Sequence, residues 1–291
     1  MPYAKAKDST RLYYKDWGSG DPVVLLHGWP LSGDSFDDTA LALVEAGKRC
    51  IIPDRRGFGR SDQPWDGHDY DTYADDVAAV LEDAGVTQPV ALVGFSMGGG
   101  EVARFLTKQG ANRVSKAVLI SAVVPYMAKT DDNPNGVPKA TFDEMTAAMK
   151  KDRADFFQSF FKDFYGVGWV SQTVSEGVLM NSWRQAMMAG LRPTLAGAKA
   201  FATTDFRPDL KSFTVPTLII HGTSDKTVPI DATAREAAKA IPGAQLIEYD
   251  GSAHGLFETD KQRLTEDLLG FLGQGNTGAD SRSAIPLSES V

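Results

Sequence analysis

Length, composition and charge limit the kind of protein that this chain can be. It has 291 residues, 42% of them hydrophobic and 23% charged, and 30 Lys and Arg against 38 Asp and Glu give a formal net charge of -8. Such a composition is typical of a soluble globular protein. The acidic balance, with no cluster of basic residues, argues against a nucleic-acid-binding protein. The single cysteine, Cys50, excludes an intramolecular disulfide, and its apolar neighbours predict a buried strand residue.

Apolar runs are too short to suggest secretion or membrane insertion. The first residues lack the apolar core of a signal peptide. No run of 18 apolar residues occurs that could cross a bilayer. We therefore expect a cytoplasmic protein with no membrane contact. Residues 274–291 are rich in Gly, Ser and Asp, which is typical of a flexible C-terminal tail.

The first 125 residues alternate short apolar runs with helical stretches. The runs lie at 23–26, 50–52, 90–93 and 117–120. Because each is apolar throughout, they indicate strands covered on both faces, hence a parallel sheet between layers of helices. Residues 3–17 ahead of them resemble an antiparallel edge hairpin.

Helical spacing appears between these runs and again later in the chain. Residues 73–84 carry apolar side chains at helical spacing and stop at Gly85. From Pro125 onward the alternation ceases, and the segment becomes rich in Met, Phe and Trp with helix-like patterns. Those patterns lie at 142–149 and 155–165.

The α/β rhythm then resumes and completes the domain. The resumed elements are strands at 217–220 and 245–249 and helices at 231–240 and about 261–272. The simplest interpretation is one α/β core, residues 1–124 and 209–273, interrupted by a helical lid at 125–208. Such a lid would cover the carboxyl ends of the strands, where open α/β sheets bind ligands.

The sequence Gly94-Phe95-Ser96-Met97-Gly98 is a G-x-S-x-G motif between a predicted strand and a predicted helix. Glycines on both sides of the serine permit the sharp reversal that this context requires. The hydroxyl of Ser96 would then project at a helix N-terminus, where free N–H groups favour a developing negative charge. We therefore predict that Ser96 is a nucleophile.

A serine nucleophile requires a general base, and the chain has four histidines. His27 and His221 each end an apolar strand as His-Gly, which predicts local hydrogen bonding. His68 lies in a polar loop, which predicts a solvated side chain. His254 follows the last predicted strand, at the carboxyl edge from which Ser96 also emerges, and is therefore the predicted base.

Three aspartates could orient that base. Asp225 follows the strand at 217–220, one strand away from the histidine loop, and gives the chain order Ser, Asp, His. Asp250 ends the strand just before His254, and Asp231 stands where it could cap the next helix. Asp225 is preferred, with the other two as alternatives.

Acyl transfer also requires two N–H donors for the oxyanion. Met97 supplies one, as the residue after the nucleophile. The other is expected from Trp29, in the loop after the first parallel strand, because Pro30 has no N–H. Neither a phosphate-binding loop, a dinucleotide-binding loop nor zinc-ligand spacing occurs, so the sequence predicts neither a metal nor a cofactor.

Several stretches together resemble a known family. They are His27-Gly28-Trp29-Pro30, the run from Asp54 through Gly57-Phe58-Gly59-Arg60-Ser61 to Trp65, Gly94 to Glu101, Thr204 to Leu210, and His254-Gly255. The chain from about Tyr3 to Leu272 resembles the α/β-hydrolase fold and, more narrowly, the cofactor-free haloperoxidases, also called non-haem chloroperoxidases, aryl esterases or perhydrolases. The resemblance implies an eight-stranded, mostly parallel sheet with helices on both faces, and the triad Ser96, Asp225 and His254.

The same resemblance implies activity and substrates. Such enzymes hydrolyse small aryl and alkyl esters through an acyl-enzyme, and hydrogen peroxide can replace water to give a peracid from a short carboxylic acid. Pro30 is the family feature tied to this peroxide reaction, and Phe160, Phe164 and Val228 match a small acyl pocket. A γ-lactamase or carbon–carbon bond hydrolase with the same triad, and a non-catalytic ligand receptor, are the alternatives. Relatives are often oligomeric, which makes a homo-oligomer an expectation.

Overall fold

A computed structural model describes residues 2–168 and 171–273, so the predicted tail lies outside the described residues. One eight-stranded sheet runs through the described part of the chain, in the order β1-β2-β4-β3-β5-β6-β7-β8. The strands are β1 Tyr3–Lys5, β2 Arg11–Gly18, β3 Asp21–Leu26, β4 Lys48–Pro53, β5 Val90–Phe95, β6 Val114–Ile120, β7 Thr217–Gly222 and β8 Gln245–Tyr249.

Strand directions follow the predicted pattern. β1 and β2 form the antiparallel edge hairpin, and β2 joins β4 antiparallel. From β4 through β3, β5, β6 and β7 to β8, every pairing is parallel. Every residue of central β5 is buried, which explains its unbroken apolar sequence. The predicted α/β fold class is confirmed, and all parallel strands end at one edge.

Nine α-helices occur within the described ranges. They are α1 Asp37–Glu45, α2 Tyr70–Asp83, α3 Met97–Gln109, α4 Lys139–Phe164, α5 Glu176–Met188, α6 Leu191–Thr203, α7 Ala234–Ala240, α8 Leu256–Thr259 and α9 Lys261–Gly273. Helices α2 and α3 pack together on one face of the sheet, and α1 packs with α9 on the other. The connection from β3 to β4 moves in one direction along the sheet, and the connection from β4 to β5 moves in the other. Because such crossovers are right-handed, they place their helices on opposite faces.

Capping explains where the helix boundaries differ from the predicted ones. Helix α2 begins three residues earlier than expected, because the Asp69 carboxylate accepts the Thr72 N–H at 2.9 Å and caps it. The two helices expected at 142–149 and 155–165 are joined in α4, with a break at Asp152. There the Asp152 carboxylate accepts the Asp155 N–H at 3.0 Å and so caps the second half.

Helices α4, α5 and α6 form the insertion between β6 and β7, and they lie over the carboxyl edge of the sheet. The Trp29 ring, in the loop after β3, stands 5.6 Å from the ring of Phe157 and 5.5 Å from that of Phe201. Its indole N–H donates to the Thr194 carbonyl at 2.9 Å. The insertion is therefore packed onto the very loop in which the oxyanion donor was predicted.

Cys50 is fully buried in β4, as predicted, and burial raises the pKa of its thiol to about 12. In the part of the chain that the structure describes, none of the helices combines the length and the apolar character needed to cross a bilayer.

Replacing Gly98 by Ala is expected to lower the free energy of unfolding by about 2–3 kcal/mol. The new Cβ would lie 2.1 Å from the backbone oxygen of Leu26, so α3 would have to move away from β3. Gly270→Ala is the matched control: no atom lies within 4 Å of a Cβ there, and the residue sits in a helix. It should raise stability by about 0.5–1 kcal/mol. Urea unfolding followed by circular dichroism measures both, and equal stability of the two variants would contradict the close approach.

Candidate active site

Ser96 occupies the tight turn between β5 and α3. Its backbone angles, φ 53 and ψ -117, lie in a region that non-glycine residues rarely adopt. The turn is held by the Ser96 N–H, which donates to Ile120 O at 2.8 Å. A Cβ on Gly94 would lie 2.4 Å from Gly98 O, so the turn excludes a larger residue there. The strained turn presents the hydroxyl at the start of α3.

His254 joins Ser96 to Asp225. Its Nε2 lies 3.0 Å from Ser96 Oγ, and its Nδ1 lies 2.6 Å from Asp225 Oδ2. A proton on Nδ1 is donated to the carboxylate, which leaves Nε2 free to accept the serine O–H. The imidazole packs against two aromatic rings, a tilted one from Phe95 at 4.9 Å and an edge-on one from Phe164 at 4.8 Å. These contacts restrict how the imidazole can rotate.

Three hydrogen-bond donors contact the Asp225 carboxylate, which is fully shielded from solvent, and the His221 ring lies beside it with its Nε2 bonded to Val228 O at 2.9 Å. Oδ1 accepts the N–H groups of Thr227 at 2.9 Å and Val228 at 2.8 Å. Oδ2 accepts His254, and His221 Nε2 lies 3.2 Å from the same oxygen. Burial alone would raise the pKa of this carboxyl, but the two histidines hold the pKa well below its usual range. Asp225 is therefore ionised at neutral pH.

The alternative aspartates lie elsewhere. Asp250 is exposed and accepts the Thr223 hydroxyl at 3.3 Å. Asp231 is exposed and pairs with Arg235 at 2.7 Å. Neither contacts His254, so in this structure Asp225 alone of the three orients the imidazole.

The two residues predicted to supply oxyanion donors lie beside the turn at Ser96. Met97 is the first residue of α3, where N–H groups have no partner within the helix. Within residues 2–168 and 171–273, the Trp29 N–H has no hydrogen-bond acceptor. A Cβ at Gly28 would lie 3.0 Å from Ser96 Cβ, which shows how closely this loop approaches the serine.

A cavity of about 180 Å³ opens beside Ser96. Most of its lining is apolar and comes from the insertion and from the loop after β7. The lining residues are Trp29, Ser96, Val123, Val137, Thr141, Phe142, Met145, Phe160, Asp163, Phe201, Lys226, Thr227 and Val228. A small apolar cavity suits a short uncharged acyl group.

Two of the four predicted pocket residues line this cavity, and two lie elsewhere. Phe160 and Val228 are lining residues. Phe164 is one turn further along α4 and fully buried, and its ring packs edge-on to His254, the predicted base, without lining the cavity. Pro30 follows a cis peptide bond in the loop after β3 and does not line the cavity.

The other histidines make buried contacts that the sequence predicts only in part. His221 contacts Asp225 directly, and its position four residues before that aspartate was the available signal. His68 is half-buried, not solvated, and its Nε2 lies 2.9 Å from Pro64 O.

The cavity residues Phe142, Met145 and Phe201 were missed because only the packing of α4 against α6 brings them together. In the described ranges, no group of three His, Cys, Asp or Glu side chains could hold a metal ion.

Sequence comparison gives one family and many close relatives. The family model described as the alpha/beta hydrolase fold matches residues 21–261. A non-heme chloroperoxidase of Kitasatospora aureofaciens is 43% identical over 94% of this chain and 100% of its own length. A bifunctional esterase/perhydrolase of Acinetobacter calcoaceticus is 45% identical over 94% of this chain and 99% of its own.

Solved structures agree with these matches. The bromoperoxidase of Bacillus anthracis superposes with a TM-score of 0.90 at 44% identity, covering 94% of this chain and 99% of its own. An esterase of Exiguobacterium antarcticum gives a TM-score of 0.88 at 34% identity, with coverage of 94% and 99%. The chain therefore belongs to the α/β-hydrolase fold family, within the group of the non-heme haloperoxidases.

Proposed function

We propose that this protein is a serine esterase that also forms peracids from hydrogen peroxide. The observation that carries the proposal is the chain of contacts from Ser96 through His254 to Asp225, beside a small apolar cavity. Relatives named as haloperoxidase and as esterase/perhydrolase support both activities. Serine hydrolases of this kind act through a covalent acyl-enzyme.

In the first half of the reaction, Ser96 Oγ attacks the substrate carbonyl carbon. His254 Nε2 takes the hydroxyl proton, and Asp225 stabilises the imidazolium that forms. Negative charge develops on the carbonyl oxygen, where the N–H groups of Trp29 and Met97 are the proposed donors. The carbon–oxygen bond to the leaving alcohol then breaks, and His254 returns its proton to that alcohol. An acyl-enzyme on Ser96 results.

In the second half, water or hydrogen peroxide resolves the acyl-enzyme. His254 removes a proton from the incoming molecule while its oxygen attacks the acyl carbon. The bond between the acyl carbon and Ser96 Oγ breaks, and Oγ receives the proton from His254. Water therefore yields a carboxylic acid, and peroxide yields a peracid. The peracid transfers one oxygen to halide away from the protein, which gives hypohalous acid and regenerates the carboxylic acid. Pro30, beside the oxyanion donor, stays our predicted determinant of peroxide use.

The insertion is proposed to act as a lid that sets acyl size. Phe142, Met145, Phe160 and Phe201 all come from it and face Ser96 across the cavity. Lys226 and Asp163 are exposed at the rim, so charge is confined to the opening. Small aryl and alkyl esters with short acyl groups are therefore the proposed substrates. A cytoplasmic location and self-association stay predictions from the sequence.

Replacing Ser96 by Ala should abolish both p-nitrophenyl acetate hydrolysis and peracid formation, because both reactions pass through the same acyl-enzyme. Ser212→Ala, at a serine far from the cavity, is the control and should keep full activity in both assays. Retention of more than a trace of either activity in Ser96→Ala would remove Ser96 from that reaction.

Replacing Asp225 by Asn should lower turnover by about 10⁴-fold, because the amide no longer selects the imidazole tautomer with a free Nε2. Asp250→Asn is the matched control and should leave turnover unchanged, since Asp250 is exposed and contacts Thr223. Steady-state kinetics with p-nitrophenyl acetate measures both. A large loss in Asp250→Asn with little loss in Asp225→Asn would reverse the assignment of the acid.

Replacing Phe160 by Ala should shift the preferred acyl chain from acetate toward longer esters, because it removes one wall of the cavity. Phe156→Ala is a demanding control: its ring stacks on Phe160 at 5.7 Å, but Phe156 does not line the cavity. The readout is kcat/KM over p-nitrophenyl esters from acetate to octanoate. An unchanged chain-length profile in Phe160→Ala would show that another surface limits the acyl group.

A further inference from the structure

A buried ion pair lies against the loop after β3 that carries Trp29, and no step of the proposed reaction uses this pair. Arg55, just after β4, contacts Glu101 in α3, and their side chains are only 3% and 4% exposed. Taking two charges out of water is costly, and their mutual attraction alone rarely offsets that cost. The other groups that Arg55 contacts therefore indicate what the ion pair holds in place.

Arg55 binds His27 from two sides. Its backbone N–H donates to His27 Nε2 at 3.0 Å, and its guanidinium Nη2 donates to His27 O at 2.6 Å. Because Nε2 is occupied as an acceptor, the single ring proton of neutral His27 resides on Nδ1. Burial and the nearby Arg55 charge hold the pKa of His27 well below its usual range, so the ring is neutral.

The ring proton of His27 reaches the peptide that carries the first oxyanion donor. His27 Nδ1 lies 2.9 Å from Gly28 O and donates to it, and the Leu31 N–H donates to the same oxygen at 3.0 Å. Gly28 O and the Trp29 N–H belong to one trans peptide unit. A planar trans peptide points its C=O and N–H in opposite directions. Anchoring Gly28 O therefore sets the direction of the Trp29 N–H.

The other end of the same network lies on the helix that carries the second donor. Glu101 is one turn after Met97 in α3. The contacts therefore run without a break from the helix of Met97, through Glu101, Arg55 and His27, to the peptide of Trp29. A buried, hydrogen-bonded chain of this kind holds two groups at a fixed separation.

We propose that His27, held by Arg55 and Glu101, is a positioning residue that aims the Trp29 N–H at the oxyanion. This inference rests on the acyl-transfer function proposed above. It assigns a role in transition-state stabilisation to a histidine that does not contact the substrate. A purely structural His27, packed edge-on to Phe58 at 5.9 Å, would instead affect stability alone.

Two substitutions separate the two halves of the imidazole. His27→Asn keeps an amide N–H near the position of Nδ1 and so preserves the bond to Gly28 O. His27→Gln places its amide near the position of Nε2 and loses that bond. We expect kcat for p-nitrophenyl acetate to fall about 10- to 100-fold in His27→Gln, less than for deletion of a donor. KM should change little, and His27→Asn should stay within a few-fold of the unmodified protein.

Phenylboronic acid gives a second readout, because its tetrahedral adduct with Ser96 places an oxygen in the oxyanion hole. Its inhibition constant should rise in His27→Gln in step with the loss of kcat/KM. Cys50→Ala, a buried change away from the network, is the control for stability: it should lower Tm without changing either quantity. If His27→Gln lowers Tm but keeps kcat and boronate affinity, the role of His27 is structural and the proposal is overturned.

A measurement on the unmodified protein covers the case in which His27→Gln does not fold. The His27 Nδ1–H proton resonance should shift downfield when phenylboronic acid binds, because an oxyanion on Trp29 N–H polarises the peptide and strengthens the bond to Gly28 O. Ser96→Ala, which cannot form the adduct, should show no shift. Unchanged resonance in the inhibited protein would overturn the positioning role. Failure of the unmodified protein to hydrolyse the ester or bind the boronate would instead reject the proposed function.

Discussion

The close approach of helix α3 to the end of strand β3 is the constraint on which the site depends. At Gly98 the helix backbone lies so near the Leu26 carbonyl that no side chain fits between them. This contact brings the first N–H groups of α3 beside the loop that carries Trp29. The turn just before this contact holds Ser96 at a positive φ of 53. The fold thus places backbone strain at the residue proposed as the nucleophile.

The remaining parts of the site complete that arrangement from other strands. Asp225 and His254 follow β7 and β8, so parallel strands deliver them to the edge at which Ser96 emerges. The insertion covers the site. It contacts residues of the proposed reaction and also forms one wall of the cavity. Phe164 packs against the His254 ring, and Thr194 accepts the Trp29 indole N–H. Because of these contacts, movement of the insertion would disturb both His254, the proposed base, and the loop that carries Trp29.

Much of this arrangement could be predicted from the sequence, because local rules determine it. Apolar runs identified the parallel strands, and polar residues at strand ends identified Ser96, Asp225 and His254, which the structure brings within hydrogen-bond distance. Side-chain direction in the insertion could not be predicted. Phe160 and Phe164 share one face of α4, yet only Phe160 reaches the cavity, because one helical turn separates them along the axis. The contacts of His27 could not be predicted either, because Arg55 and Glu101 come from distant segments of the chain.

The proposed reaction requires a covalent acyl group on Ser96 that water or peroxide resolves. Rapid mixing with p-nitrophenyl acetate, acid quenching and mass spectrometry of the proteolysed protein test it most directly. We expect an acetyl group on the peptide that contains Ser96, appearing with the burst of p-nitrophenol and disappearing faster when hydrogen peroxide is added. An acetyl group on another residue, or turnover with no acetylated intermediate and no effect of peroxide on its loss, would contradict it.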